Sequence, residues 1–328
     1  MKYLITGATG FMGPHLLNQL SAAGHSCRCL VRQGSEHKIF RFNTTEILSG
    51  DLTDPGSLTG AADGVDCLFH LATLGHMNNF AVSPDLFRAV NVHGTLNIME
   101  EALRAGVKHI VHCSSVAAMG ICKETPADET TPCHPHHAYG KSKLEAEQAV
   151  LRLVKAKGLP ASIVRFSMIY GPGDPRDMLK LTRMAKKHLF PKIGNRPKLT
   201  PLIHVQDAVK GLLLAAEKGK PGEIYLITNP QSEPFDKIRE IIQEALGIRK
   251  MAVYVPEGAA LKLASAIEWV FKKRGKNPPV SRKNIESILA DRSFSIAKAM
   301  RELGFMPTVD PASGIHETVK WYTRHKWV

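Results

Sequence analysis

Tyr139 and Lys143 stand four residues apart in a stretch with helical patterning, so their side chains share one helix face. A tyrosine phenol has an ordinary pKa of about 10, too high for an efficient base at neutral pH. A neighbouring ammonium favours the phenolate and draws that pKa down. The pair is therefore a device for moving a proton. Ser114-Ser115 closes the apolar run Ile110-Val111-His112-Cys113, which puts hydroxyls at the carboxyl edge of an expected strand. A hydroxyl there can donate to a substrate oxygen as charge develops. Tyr-x-x-x-Lys taken alone is a common accident of sequence.

A second constellation lies at the N-terminal end. Gly7-Ala8-Thr9-Gly10-Phe11-Met12-Gly13 follows the apolar run 2–6 and precedes an amphipathic stretch. Strand, glycine turn and helix in that order let the backbone approach a pyrophosphate, whose charge then sits at a helix N-terminus. A dinucleotide beside a proton donor points to redox chemistry on a carbon bearing oxygen. The next strand ends in Cys29-Leu30-Val31-Arg32 and offers no acid for a ribose 2′-hydroxyl. Arg32, with Lys38 beyond it, suits a 2′-phosphate instead. NADP is the expected cofactor and NAD the alternative.

These residues need a scaffold. Short apolar runs at 2–6, 27–31, 45–48, 66–71, 108–113 and 161–166 read as strands, with helical patterns near 12–23, 55–62, 84–105 and 138–157. The alternation predicts an α/β fold, a doubly wound parallel sheet of Rossmann type. After Tyr170-Gly171-Pro172-Gly173 the chain turns helix-rich, with brief strands near 202–205, 223–227 and 251–255. The expected division is a dinucleotide-binding domain over 1–170 and a smaller, helix-rich substrate lobe over 171–328, with segments near 202–229 returning to the first.

Composition limits the partners. The chain of 328 residues is 44% apolar, which argues against disorder. No apolar run reaches membrane-spanning length, and Met1 leads into the glycine turn without room for a signal peptide. A cytoplasmic protein is expected, and its six cysteines read as reduced thiols. Residues 1–170 carry 15 Lys/Arg against 14 Asp/Glu, whereas 171–328 carry 28 against 16. The basic excess of the second half fits an anionic small-molecule substrate, an anionic membrane surface or simply a solvated face. No helix-turn-helix, zinc-finger or RNA-binding signature accompanies it, so no nucleic acid is expected.

The chain resembles the extended short-chain dehydrogenase/reductase superfamily over nearly its full length. The matching segments are Thr6 through Gly13, Gly50-Asp51-Leu52-Thr53-Asp54, His70-Leu71-Ala72 and Asn91-Val92-His93-Gly94-Thr95. Ser114-Ser115, Tyr139-Gly140-Lys141-Ser142-Lys143, Arg165 through Gly173 and Ile203-His204-Val205-Gln206-Asp207 follow in order. The resemblance implies Tyr139 as acid/base, Lys143 as its activator and ribose ligand, and Ser115 as ligand of the substrate oxygen. Asn91 would support the active-site helix. Asp51 and Leu52 would flank the adenine, and Leu71, Ala72, Thr73, Phe166 and Met168 would complete the cofactor's surroundings. Such proteins often form homodimers.

The substrate stays open. Sugar 4,6-dehydratases carry an Asp-Glu pair where this chain has Val116-Ala117. Nucleotide-sugar enzymes often place Asn where Met168 stands and a diphosphate-clamping arginine where Thr200 stands. The segment from Arg165 to Asp174 is closer to 3β-hydroxysteroid dehydrogenase-like and dihydroflavonol reductase-like members, while Ser114 through Gly120 is similar to presumed hopanoid-associated sugar epimerases. His76, Ser167 and Arg176 are further candidates for the substrate pocket, and Arg176, Arg183, Lys186 and Lys187 could form a phosphate site. Three readings follow: a secondary alcohol/ketone oxidoreductase, a nucleotide-sugar epimerase using the same residues, and a non-catalytic NADP-binding sensor or scaffold.

Two stretches invite sharper readings. Cys133-His134-Pro135-His136-His137 is rich in metal-ligand types, but crowded and interrupted by proline; a loop entering the Tyr139 helix is expected, with no metal. Residues 259–274 combine Leu261, Leu263, Ile267, Trp269, Val270 and Phe271 with Lys272-Lys273-Arg274. That pattern suits either a core or dimer-facing helix with a basic end or a helix lying on a membrane surface.

Overall fold

The opening apolar run forms β1 (Lys2–Thr6), and a seven-stranded sheet extends from it in both directions. A computed structural model describes residues 1–35, 45–75, 82–250, 253–276 and 278–328. The strands that follow are β2 (Ser26–Val31), β3 (Thr45–Ser49), β4 (Cys67–His70), β5 (His109–Ser115), β6 (Ala161–Phe166) and β7 (Met168–Tyr170). Six more are β8 (Lys192–Ile193), β9 (Leu199–Thr200), β10 (Leu202–His204), β11 (Ile224–Ile227), β12 (Glu233–Pro234) and β13 (Tyr254–Val255). The main sheet runs β3-β2-β1-β4-β5-β6-β11 and every pairing is parallel. Strand order reverses between β1 and β4, where ligands of open α/β sheets bind.

The helices are α1 (Met12–Ala22), α2 (Pro84–Arg88), α3 (Gly94–Arg104), α4 (Ala138–Lys157), α5 (Asp177–Lys186) and α6 (Val205–Lys218). They are followed by α7 (Phe235–Ala245), α8 (Glu257–Lys273), α9 (Arg282–Leu289), α10 (Ala297–Leu303) and α11 (Pro311–Arg324). Leu16, Leu17 and Leu20 of α1 and Ala208, Val209 and Leu212 of α6 cover one sheet face. Ile98, Met99 and Ala102 of α3 and Val150 and Leu153 of α4 cover the other. The fold is thus a doubly wound α/β sheet with a helical C-terminal region. A separate core joins Met178 and Leu179 of α5, Ile238 and Ile242 of α7, and Ile315 and Val319 of α11.

The second half returns to the first core twice. Tyr225 and Ile227 of β11 pack there, beside α6, and so do Ile296, Ala299, Leu303 and Phe305. The helical pattern expected near 84–105 forms as α2, a π-helical turn and α3 in unbroken succession. Ser83 caps α2 by accepting from Leu86 N, and Ala89–His93 is the π-helical turn before α3 begins. That turn sets Asn91 toward the sheet edge, a common use of a π insertion. The expected helix near 55–62 is a 3₁₀ turn, Pro55–Leu58, and of the strand expected at 251–255 only Tyr254–Val255 is formed, residues 251–252 lying outside the described ones.

Candidate active site

Parallel strands bring their carboxyl ends to one edge. Gly7 follows β1, Arg32 follows β2, Leu71 follows β4, Ser115 ends β5 and Phe166 ends β6; all five line one cleft of about 1210 Å³. The glycines answer different demands. Gly7 has φ +75°, and a Cβ there would lie 2.6 Å from Ala72 N. At Gly13 a Cβ would meet the Ala8 carbonyl oxygen at 2.1 Å, so α1 can leave the turn only past a bare residue. Gly10 opens instead on the cleft, its nearest neighbour to a Cβ being Gly7 O at 3.2 Å.

Thr9, Gly10, Phe11, Met12 and Gly13 line the cleft where α1 starts, and no side chain caps that helix. Free helix N–H groups over a bare glycine fit a diphosphate. Ala8, expected among the cofactor ligands, is fully buried in the core beneath Gly13 and does not reach the cleft. Leu71, Ala72 and Thr73 form the middle of the wall and Asp51 and Leu52 its far end. The Asp51 carboxylate accepts from Thr53 N at 2.8 Å and Thr53 Oγ1 at 2.7 Å, which holds its pKa below the ordinary value, helped by the charge of Arg32. Arg32 is exposed on the same wall, and its side chain makes no hydrogen bond or ion pair among the described residues. Lys38 and His76 lie outside the described residues.

The proton-transfer residues meet at the start of α4. His137 accepts from Gly140 N at 2.9 Å and caps the helix, while Gly158 ends it with φ +69°. Burial pushes the His137 pKa down to about 4, so the cap is the neutral imidazole. The stretch from Cys133 to His137 is the loop into α4, with His134 bridged to Gly120. Among the described residues no group of His, Cys, Asp and Glu gathers to hold a metal ion. Ser115 Oγ accepts from Ala117 N at 3.1 Å and starts the 3₁₀ turn Val116–Ala118, against which Gly140 packs.

Tyr139, Lys143 and Ser115 all line the cleft. Lys143 is buried to 2% exposure and donates to the Cys113 carbonyl at 2.6 Å; burial brings its pKa down to about 8. The expectation that the ammonium lowers the Tyr139 pKa needs correction. Burial dominates and raises the phenol above its ordinary value, while hydrogen bonding with Ser115 and then the Arg176 charge work against it. The cation acting on the raised phenol is thus Arg176, while Lys143 donates to a backbone carbonyl. Arg176 pairs with buried Asp174 at 3.0 Å and stands 5.2 Å from the centre of the Phe11 ring, so it spans the glycine turn and the phenol.

Asn91 does not line the cleft. It is 1% exposed, accepts from Leu74 N at 2.7 Å and Thr73 Oγ1 at 3.1 Å, and donates to Ser142 Oγ at 2.9 Å. It ties the cofactor wall to the helix of Tyr139. One turn below Lys143, Glu147 accepts from Ser114 Oγ at 2.5 Å and pairs with Arg165 at 2.7 Å, a buried network under the site.

Beyond the polar edge the cleft becomes apolar. Leu181 and Met184 of α5, Leu263 and Ile267 of α8, and Ile285 and Ile288 of α9 wall it, with Ser167, Met168 and Thr200 also in the lining. The sequence reading missed this wall. The apolar residues of α8 were visible, but a pocket-facing stripe has the same helical spacing as a core-facing one. Arg176, Lys180, Lys283 and Arg292 add cations to the lining. Burial lowers the Arg292 pKa, and its Nε is buried with no hydrogen-bond partner among the described residues.

Residues 3–228 match the NAD dependent epimerase/dehydratase family. The chain belongs to that family. It is an enzyme of the extended short-chain dehydrogenase/reductase type, in a group whose members use a nicotinamide dinucleotide. A 3 beta-hydroxysteroid dehydrogenase/Delta 5-->4-isomerase of Mycobacterium tuberculosis is 30% identical over 344 residues, covering 98% of this chain and 90% of the relative. The sterol demethylase protein B of Methylococcus capsulatus is 31% identical, covering 98% of each. The crystal structure of gox2253 superposes with a TM-score of 0.84 at 34% identity, covering 99% of each chain. No helix among the described residues is long and apolar enough to cross a membrane.

Proposed function

We propose that this enzyme interconverts a secondary alcohol and a ketone on a lipophilic small molecule, with NADP as the hydride carrier. The observation that carries the reading is the continuity of one cleft from Ser115 and Tyr139 into the apolar wall of α5, α8 and α9. A nicotinamide dinucleotide, held by Gly7 through Gly13 and Lys143, would supply the hydride exchange at the carbinol or carbonyl carbon. Ser115 orients the substrate oxygen, and Tyr139 takes the hydroxyl proton in oxidation or gives it back in reduction. Lys143, anchored on the Cys113 carbonyl, would place its positive charge beside the cofactor ribose, and Arg176 supplies the charge that acts on the phenol. Arg32, exposed on the cleft wall after β2, would pair with a 2′-phosphate, which supports NADP. The steroid and sterol relatives support an apolar substrate class. Arg292 would meet a hydrogen-bond acceptor on that substrate, because a buried guanidinium nitrogen is costly without one.

The test is steady-state consumption of NADPH with a panel of polycyclic ketones. Turnover by the wild type, lost in Tyr139→Phe, is the expected result; full activity in that variant would overturn the reading. The cations Arg176, Lys180, Lys283 and Arg292 favour a second reading, epimerisation of a nucleotide sugar, in which the same residues oxidise and then reduce one carbon. It predicts tightly retained cofactor and no net redox turnover.

A further inference from the structure

The outer side of α8 is apolar. Ala259, Leu263, Ala266 and Val270 recur at spacings of four, three and four, which makes one stripe, and Trp269 lies beside it. Leu263 is 58% exposed and Trp269 60%, while Ala260 and Ala264 are the helix's only fully buried residues. An ordinary surface helix turns its apolar stripe inward, and a contiguous exposed patch marks a binding face.

This patch borders the pocket at Leu263. Leu263 and Leu189 both line the cleft, and Leu189 is 64% exposed. Leu189 precedes β8, which pairs with β13; exposed Val253 and Tyr254 lead from that ribbon directly into α8. The surroundings are basic. Residues 261–276 hold five Lys/Arg against Glu268 alone, and Lys186 and Lys187 precede Leu189. Lys273 Nζ stands 4.0 Å from the centre of the Trp269 ring, a basic head over an amphipathic ring. Apolar surface rimmed by lysines is complementary to a lipid interface with anionic headgroups, where tryptophan sits at headgroup depth and lysine stems snorkel.

We propose that α8 docks the mouth of the pocket on an anionic lipid bilayer, so that a lipophilic alcohol or ketone passes between the membrane and Tyr139 without crossing water. The passage of substrate rests on the apolar-substrate reading above; the docking itself does not.

The test is flotation of the full-length protein with vesicles of phosphatidylglycerol and phosphatidylcholine, and with phosphatidylcholine alone. Co-flotation with the anionic vesicles at low salt, released at high salt, is expected. Trp269→Ser/Val270→Ser and Lys272→Glu/Lys273→Glu should each lower the bound fraction at least about tenfold, since each basic residue near such a surface contributes about a fivefold factor. Both should keep wild-type NADPH binding and melting temperature. No binding to anionic vesicles at low salt, or equal binding by the variants, overturns the proposal. So does a lipid-free dimer that Trp269→Ser converts to monomer, which would make the patch a subunit interface. Vesicle binding without ketone turnover would defeat the substrate reading alone, and turnover without vesicle binding would defeat the docking alone.

Discussion

Gly140 packs directly against the Ala117 carbonyl: a Cβ on residue 140 would lie 2.4 Å from that oxygen. The contact joins the first turn of α4, which carries Tyr139, to the turn that Ser115 starts. Both partners are backbone, so neither can rotate away. Gly140→Ala is therefore expected to push Tyr139 and Ser115 apart, lowering kcat roughly 100-fold. NADPH affinity should change little, because the glycine turn at Gly7 through Gly13 is a different segment. Turnover measured beside a fluorescence titration of NADPH separates the two, and an unchanged kcat would refute the coupling.

Lys143 supplies a pH test. Ketone reduction needs Tyr139 protonated and Lys143 charged. Burial raises the first pKa and lowers the second to about 8. Reduction is therefore expected to be level at low pH and to fall as pH rises through about 8, where the ammonium is lost. Lys143→Arg keeps its charge across that range, so whatever activity it retains should fall only at higher pH. A kcat/KM profile for reduction with the same midpoint in both proteins would rule out Lys143 as the titrating group.

Arg32 decides between the two cofactors in the proposed reading. Its side chain is exposed and makes no hydrogen bond or ion pair among the described residues, so replacing it should not disturb the fold. Arg32→Asp is expected to weaken NADP binding at least about tenfold, through loss of a charge-assisted contact, and to improve NAD binding by offering a ribose acceptor. Dissociation constants for both nucleotides measure the effect. Unaltered NADP affinity would place the 2′-phosphate elsewhere.

Much of this architecture was legible because local chemistry and global fold agree. The run 2–6, the glycine turn and the helical stretch after it are one unit in sequence and in space, and Ala161–Phe166 and Ala138–Lys157 form as their patterns predict. What sequence could not show is which way a side chain turns once neighbours compete for it. Ala8 sits between two cleft-lining residues yet belongs to the core, because the turn reverses direction there. Asn91 carries a polar amide that is taken by Leu74, Thr73 and Ser142 and does not line the cleft, and it lies in a π turn that no sequence pattern marks. Lys143 shares a helix face with Tyr139, but its ammonium is taken by Cys113 O. The apolar wall is assembled from α5 and the later pair α8 and α9, with about seventy residues between α5 and α8, and no local pattern joins them.

The buried histidines should make the fold acid-sensitive. His70 is wedged between Thr6 Oγ1 at 2.7 Å and Thr95 Oγ1 at 2.9 Å, and burial pushes its pKa down to about 3. His112 stacks on it at 5.3 Å, has no hydrogen-bond partner for either ring nitrogen among the described residues, and is held well below the ordinary value by burial and the charge of Lys143. His204 is lowered to about 4, as is His137. In the unfolded chain each titrates near 6.5. Between about 6.5 and 4 the unfolded state therefore binds more protons than the native one, and stability falls as pH falls, by up to about 1.4 kcal/mol per pH unit for each histidine. His112→Phe keeps the ring and removes one of these protons. Urea unfolding at pH 7, 6 and 5 should give a shallower pH slope for the variant, by close to one proton, and a native state at least as stable at pH 7, since two unpaired ring nitrogens are gone. An identical slope in both proteins would mean that His112 already finds a proton partner in the folded state.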